Sequence, residues 1–190
     1  MTDQLYHHIQ KLVPGFTTEQ EKIAPFFQTK TVKKEELLLT EREICDTIYF
    51  VNKGCLYLFY EDNEDKQVIH FALENWWITD YKTFPDGNPA VYSIAAMEDS
   101  EITCMSRENY ETLLLQFPLL ALYFNKIHER AYGAALYKQK TFATVSKNDF
   151  YRYFRSTYPE LIQRIPAPIF ASYMGVSLRT LRGFQHAYIS

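Results

Sequence analysis

The sequence predicts an α+β protein: an all-β barrel or sandwich with flanking helices, then a long helix, then a compact helical C-terminal piece. Three observations predict it. Between residues 29 and 106, short β-branched and aromatic runs recur at roughly ten-residue spacing with turn residues between them. From 118 to 140 no helix breaker except Gly133 interrupts the chain. The charge also changes sign along the chain. Residues 1–137 hold 12 Lys and Arg against 21 Asp and Glu, whereas 138–190 hold 8 against 2.

Taken in order, residues 5–27 read as helical. Leu5, Ile9 and Leu12 share a face, Pro14-Gly15 breaks it, and Thr17 or Thr18 is placed to cap a second helix through Glu21. The strand-like runs begin at Thr31-Val32-Lys33, leading to Glu36 through Thr40. Thr47 to Val51 follows, then an Asn52-Lys53-Gly54 turn and a run from Cys55 to Tyr60. A charged turn, Glu61 to Lys66, leads to Gln67–Ala72; after a loop come Ala90–Ala96 and Ser100–Met105.

Ser106 reads as the N-cap of a short helix ending near Phe117, and Pro118 suits the first turn of the next. Within 118–140, Leu120, Phe124, Ile127, Ala131 and Ala134 repeat at spacings of 4, 3, 4 and 3. That is a heptad seam fit for a helical homodimer; the other reading is a single amphipathic helix on its own barrel. Ser146 is placed to cap a helix through Phe150, Tyr153 and Phe154. Pro166 and Pro168 start another.

Residues 168–184, Pro-Ile-Phe-Ala-Ser-Tyr-Met-Gly-Val-Ser-Leu-Arg-Thr-Leu-Arg-Gly-Phe, have the pattern of a helix-turn-helix. Ala171 permits a close helix crossing, Gly175 takes a turn position wanting positive φ, and Val176 is the buried turn residue. Ser177 caps the second helix, and Leu181 faces inward with Phe170 and Met174. A basic piece of this kind on an acidic body is the electrostatic layout of a nucleic-acid-binding module.

Composition excludes other classes. At 47% hydrophobic and 23% charged residues the chain is ordinary globular material. No apolar run approaches the ~18 residues that span a bilayer, and Met1–Gln10 lacks the apolar core of a secretory signal. The three cysteines, Cys45, Cys55 and Cys104, are odd in number and lack CxxC spacing, which predicts a reducing, cytoplasmic setting. His7 and His8 read as solvent-exposed. No metal-ligand spacing, Ser/His/Asp grouping, phosphate-cradling glycine loop or convergent acid pair points to an enzyme or a metal site; His70 is the one histidine on a predicted strand.

The order of barrel, long helix and helix-turn-helix resembles the cAMP receptor protein/Fnr family of bacterial transcription regulators, in its Bacteroidetes-like members. The resemblance rests on Ile48–Gly54, on Ala95 to Ile102 with Ser106 to Tyr110, and on Tyr158 to Pro166 leading into the helix-turn-helix. It covers nearly the whole chain. It implies a β-roll, a cyclic-nucleotide-binding-like jelly roll, as a sensor domain over 1–117, a dimerisation helix over 118–140 and a DNA-binding domain over 141–190. It implies a cytoplasmic homodimer that binds double-stranded operator DNA, answers to a small-molecule effector and is neither an enzyme nor a membrane protein.

The family's cyclic-nucleotide binders pair a Gly-Glu turn with an Arg followed by Ser or Thr. The corresponding stretch, Phe71 to Asp80, has no Gly-Glu, and Pro89-Ala90-Val91-Tyr92-Ser93 stands where the Arg pair belongs. A buried phosphate without a guanidinium is an uncompensated charge, so the sequence predicts no cAMP or cGMP binding in the family manner. Trp76 and Trp77, with Glu74, Asp80 and Tyr92, are the candidate pocket for another effector; the competing reading is core packing with one indole inward and one at the surface. Three cysteines, none before Cys45, do not supply the four ligands of an Fnr-like iron–sulfur cluster, and a lone His70 does not support haem, so no cofactor is expected.

In the reading helix the family's usual Glu and Arg fall at Arg179 and Gly183. Arg179 and Arg182 are the candidate base or phosphate contacts, Thr180 a phosphate contact, Ser177 the cap, and Ser172 and Tyr173 backbone contacts from the first helix. Gly183 predicts a short or frayed helix, and with it altered specificity or lost DNA binding. The alternative function is therefore a degenerate member that binds a small molecule or a protein without reading DNA.

Overall fold

The computed structural model describes residues 1–63 and 65–189, with side chains through Ala187; Glu64 of the predicted charged turn, Ser190, and the side chains of Tyr188 and Ile189 lie outside the described residues. Two compact units result. The first is 1–60 with 70–129, the second 61–69 with 130–190.

The first unit opens with helix α1 (Asp3–Leu12), which buries Leu5, Ile9 and Leu12 as their spacing predicts. Its cap is the Thr2 side chain, which accepts from the Leu5 amide at 3.3 Å. The expected cap at Thr17 or Thr18 does not form. The second helix, α2, is one turn, Gln20–Ile23, begun at Glu19 without a side-chain cap bond. It runs into a 3₁₀ turn at Ala24–Phe26, where Pro25 takes an early position that needs no amide donor.

Among the described residues eight strands follow: β1 (Gln28–Val32), β2 (Leu37–Leu39), β3 (Thr47–Lys53), β4 (Leu56–Asp62), β5 (Asp65–Ala72), β6 (Trp77–Ile78), β7 (Ser93–Ala96) and β8 (Ser100–Ser106). They form two four-stranded sheets, ordered β1-β8-β3-β6 and β2-β7-β4-β5. β3 and β8 pair antiparallel from Thr47↔Ser106 to Lys53↔Glu101. Periodicity misses β6 because two residues are too few to show alternation.

The Ile48–Gly54 motif has a visible cause. Ile48, Phe50 and Val51 are buried, and Asn52 is a buried polar link. Its amide donates to Thr103 Oγ1 at 2.9 Å, and its carbonyl oxygen accepts from Thr2 Oγ1 at 2.6 Å. Gly54 lies at φ +99°, and a Cβ there would stand 2.1 Å from Ser100 Oγ, so only glycine fits.

Ser106 caps helix α3 (Arg107–Gln116), accepting from the Asn109 amide at 3.1 Å. Helix α4 begins at Pro118 as expected and runs to Thr144, past the predicted end. The five residues of the predicted seam differ in burial. Leu120 and Phe124 are buried in the core, and Ile127 packs against it half-buried. Phe124 meets the rings of Trp77, Tyr110 and Tyr123 at 4.8–5.3 Å. Ala131 and Ala134 are exposed. Large apolar side chains that α4 does expose are Leu119, Leu122, Tyr132, Leu136 and Tyr137.

The second unit holds the rest of α4 with helices α5 (Lys147–Thr157), α6 (Pro159–Arg164), α7 (Ala167–Met174) and α8 (Leu178–Ile189). Ser146 caps α5 through the Asp149 amide. The core is aromatic: Phe154 and Phe170 meet at 4.8 Å and Phe142 and Phe150 at 4.9 Å. Among the described residues no helix is long and apolar enough to cross a membrane.

Candidate functional site

Helices α7 and α8 are joined by a three-residue turn whose parts behave as their chemistry dictates. Gly175 adopts φ +64°, and its amide reaches the Ala171 and Ser172 carbonyls; the Val176 amide also bonds the Ala171 carbonyl, at 3.1 Å. This is a left-handed helix C-cap. Ser177 Oγ accepts from the Thr180 amide at 3.1 Å and so opens α8. Phe170, Ala171, Met174 and Leu181 are buried, which fixes the pair; Val176, expected buried, is half-buried.

With Leu181 inward, Arg179 and Arg182 are left exposed on α8. Thr180 is exposed, and its hydroxyl lies 2.8 Å from Ser177 Oγ. Helix α8 runs through Gly183 to Ile189, so the expected fraying at that glycine does not occur. A Cβ at Gly183 would meet nothing within 4 Å.

The two candidates on α7 are engaged inside the unit. Ser172 Oγ donates to the Lys66 carbonyl at 2.5 Å and accepts from the Val68 amide at 2.9 Å. It thereby satisfies backbone groups of β5, which is the edge strand of its sheet. The Lys138 ammonium bonds the neighbouring Ile69 carbonyl and sits 4.0 Å from the centroid of the Tyr173 ring. Burial, with Lys147 adding to it, lowers the Lys138 pKa to about 8. Tyr173 belongs to the aromatic core, and burial pushes its hydroxyl up to about 12.

The five pocket candidates do not share one wall. Trp77 is buried between Phe50 and Phe124 at 5.2 and 5.3 Å, and its indole donates to Tyr123 Oη at 2.8 Å. Trp76 is 43% exposed and stacks on His70, with ring centroids 5.8 Å apart. One indole thus faces in and one out, the packing arrangement. Glu74 accepts from the Gly54 amide at 2.9 Å, and Tyr92 packs half-buried on the core.

Asp80 is fully buried. Its two carboxylate oxygens accept from the Val91 amide at 2.8 Å and the Lys82 amide at 3.0 Å, bracing both ends of the 80–91 loop. Ala90 is buried in the core, where no side chain can offer a charge. Lys82 is exposed.

Three groups were missed in the sequence. Tyr123 is buried and lies 2.8 Å from His8 Nδ1, so His8 is not the solvent-exposed residue expected; contacts between residues 115 apart leave no local signature. The Arg107 guanidinium packs over Gly87 in the cassette loop and bonds Glu111 at 2.6 Å. A cleft of about 390 Å³ in the second unit is lined by Tyr151, Arg155, Pro159, Ile162, Gln163 and Gln185. Among the described residues no group of three His, Cys, Asp or Glu side chains is arranged to hold a metal ion.

Residues 29–117 match the cyclic nucleotide-binding domain family. No curated protein sequence matches the chain. Solved structures do. A CooA mutant from Carboxydothermus hydrogenoformans aligns over 95% of this chain and 83% of its own, at 12% identity and TM-score 0.70. A putative transcriptional regulator of the Crp/Fnr family from Eubacterium rectale aligns over 93% and 85%, at 15% identity and TM-score 0.70. The c-di-GMP-responsive global regulator CLP of Xanthomonas campestris aligns over 88% and 89%, at 14% identity and TM-score 0.70. Residues 29–117 thus match a cyclic nucleotide-binding domain, and the chain shares its fold with these solved regulators over most of its length.

Proposed function

We propose that this chain is a homodimeric transcription regulator that binds double-stranded DNA through α8, and whose sensor domain does not take cyclic nucleotides. The observation that carries the DNA reading is the α7–turn–α8 geometry with Arg179 and Arg182 exposed on a piece of chain whose net charge is +6. Two arginines three residues apart point to the same side of a helix and suit guanine edges or phosphates. In this reading Ser172 and Tyr173 hold the domain together and do not contact DNA.

The test is binding to the chain's own upstream DNA across a salt series. Tight, sequence-selective binding with a steep salt slope is expected, and Arg179→Glu with Arg182→Glu abolishes it. Weak, sequence-indifferent binding that the double variant leaves unchanged would favour the degenerate-module reading.

Loss of the phosphate cassette is supported by Ala90 in the core and by the Asp80 carboxylate on the Val91 amide. An incoming phosphate would meet the Asp80 carboxyl group, and the stretch 84–94 itself supplies no guanidinium. Titration calorimetry is expected to show no micromolar affinity for cAMP or cGMP. We assign the dimer seam to the exposed face of α4, where Leu122 and Leu136 lie two heptads apart with Leu119 beside the first. Leu122→Asp is expected to give folded monomers on sedimentation. A dimer that survives it would move the interface elsewhere.

A further inference from the structure

We propose that His8, Tyr123 and Trp77 form a proton-sensitive joint that fastens the first half of α4 to α1 and β6. One ordering gives every donor an acceptor. An indole has one N–H and no acceptor, so Trp77 donates to the Tyr123 oxygen at 2.8 Å. The tyrosine's own proton then finds His8 Nδ1 at 2.8 Å. That bond requires a bare Nδ1, so the neutral His8 carries its hydrogen on Nε2.

The surroundings make this ordering consequential. Tyr123 is fully buried, and burial holds its hydroxyl far above the ordinary tyrosine pKa, so it stays protonated. The rings of Phe50, at 5.6 Å from His8, and Phe124, at 5.0 Å from Tyr123, close on the chain. A proton added at Nδ1 sets a second donor against the same oxygen, and the tyrosine hydrogen must leave its bond inside an aromatic shell. An unmet buried donor is costly, so the joint holds while His8 is neutral and opens as it charges.

Charges of both signs lie near His8 along the chain. From α4 comes Lys126, one turn beyond Tyr123, its ammonium fixed on the Leu12 carbonyl at 2.8 Å. On α1 itself Lys11 lies three residues after His8 and Asp3 five before it. β3 and β6 present the uncharged Phe50 and Trp77. A histidine gains its second ring proton on mild acidification, and the joint opens as it does. This holds whether or not the chain reads DNA.

The full-length chain carrying Trp76→Phe tests the joint, because Trp77 is then its one tryptophan. Its emission is expected to change in a single-proton transition between pH 7.5 and 5. Adding His8→Gln, whose amide oxygen accepts from Tyr123 but does not titrate, abolishes the transition and leaves the emission at pH 7.5 unchanged. Adding His128→Gln instead leaves the transition in place. A transition that persists in His8→Gln, or an emission flat from pH 7.5 to 5, overturns the proposal. A second measurement needs no His8 variant: long-range nitrogen–proton NMR of the His8 ring at pH 7.5 shows a bare Nδ1 if the joint exists. A hydrogen on Nδ1 at that pH overturns it.

Discussion

At Gly54 the backbone sits at φ +99° with the Ser100 hydroxyl where a Cβ would go, whereas at Gly183 the same added carbon meets open space. Gly54→Ala therefore forces a shift of the β3–β4 turn against β8 and should lower the denaturation midpoint sharply. Gly183→Ala keeps a helical φ and removes unfolded-chain entropy, a gain of about 0.4–1 kcal/mol in chemical denaturation. His128, half-buried against Tyr81 with rings 5.4 Å apart, has its pKa lowered by burial. Its unfolded form binds a proton more readily than its folded form. Its contribution is complete above the ordinary histidine value of ~6.5 and is lost as pH falls below it. His128→Gln should flatten that part of the stability profile between pH 7.5 and 5. Lys138 gives a slope at the other end. Its folded pKa is lowered to about 8, so stability should rise with pH from there towards the ordinary lysine value, and Lys138→Met should remove the rise.

Among the elements, α4 shows best what periodicity conveys. The heptad spacing of Leu120, Phe124 and Ile127 marks a genuine apolar face, but spacing does not say what the face meets. Here it meets α4's own unit, and the leucines that remain exposed lie round the helix from it. Leu120→Ala should therefore cost about 2–5 kcal/mol of stability in chemical denaturation. Leu119→Ala should cost the isolated fold under ~0.5 kcal/mol and be read instead as weaker self-association. Caps divide along the same line. Ser106, Ser146 and Ser177 were legible because a capping side chain bonds an amide three residues on. Ser172 shows no such signature, because its partners in the fold, Lys66 and Val68, are over a hundred residues away. The α7–turn–α8 pair was legible at Ala171, Gly175, Ser177 and Leu181, which each answer a local demand, and less so at Val176, which is half-buried. The pocket was legible only as composition: Trp76 stands just before β6 and is exposed, Trp77 opens β6 and is buried, so the two indoles form no single stacking wall.

For the molecule as a whole, the sign change in charge follows the physical division only in part: the first unit holds 17 acidic and 10 basic residues and the second 6 and 10, because the acidic turn 61–65 belongs to the second. Cys45, Cys55 and Cys104 all lie buried in the first unit, each hydrogen-bonded within it, and the sequence has none after residue 104. A thiol reagent in native buffer can reach them only when the sandwich opens. The rate at which three equivalents of label are consumed is thus a clock for the opening of the first unit alone, blind to fluctuations of the helices that follow. Run beside amide exchange, which sees the whole chain, it would separate the breathing of the two units without a single added probe.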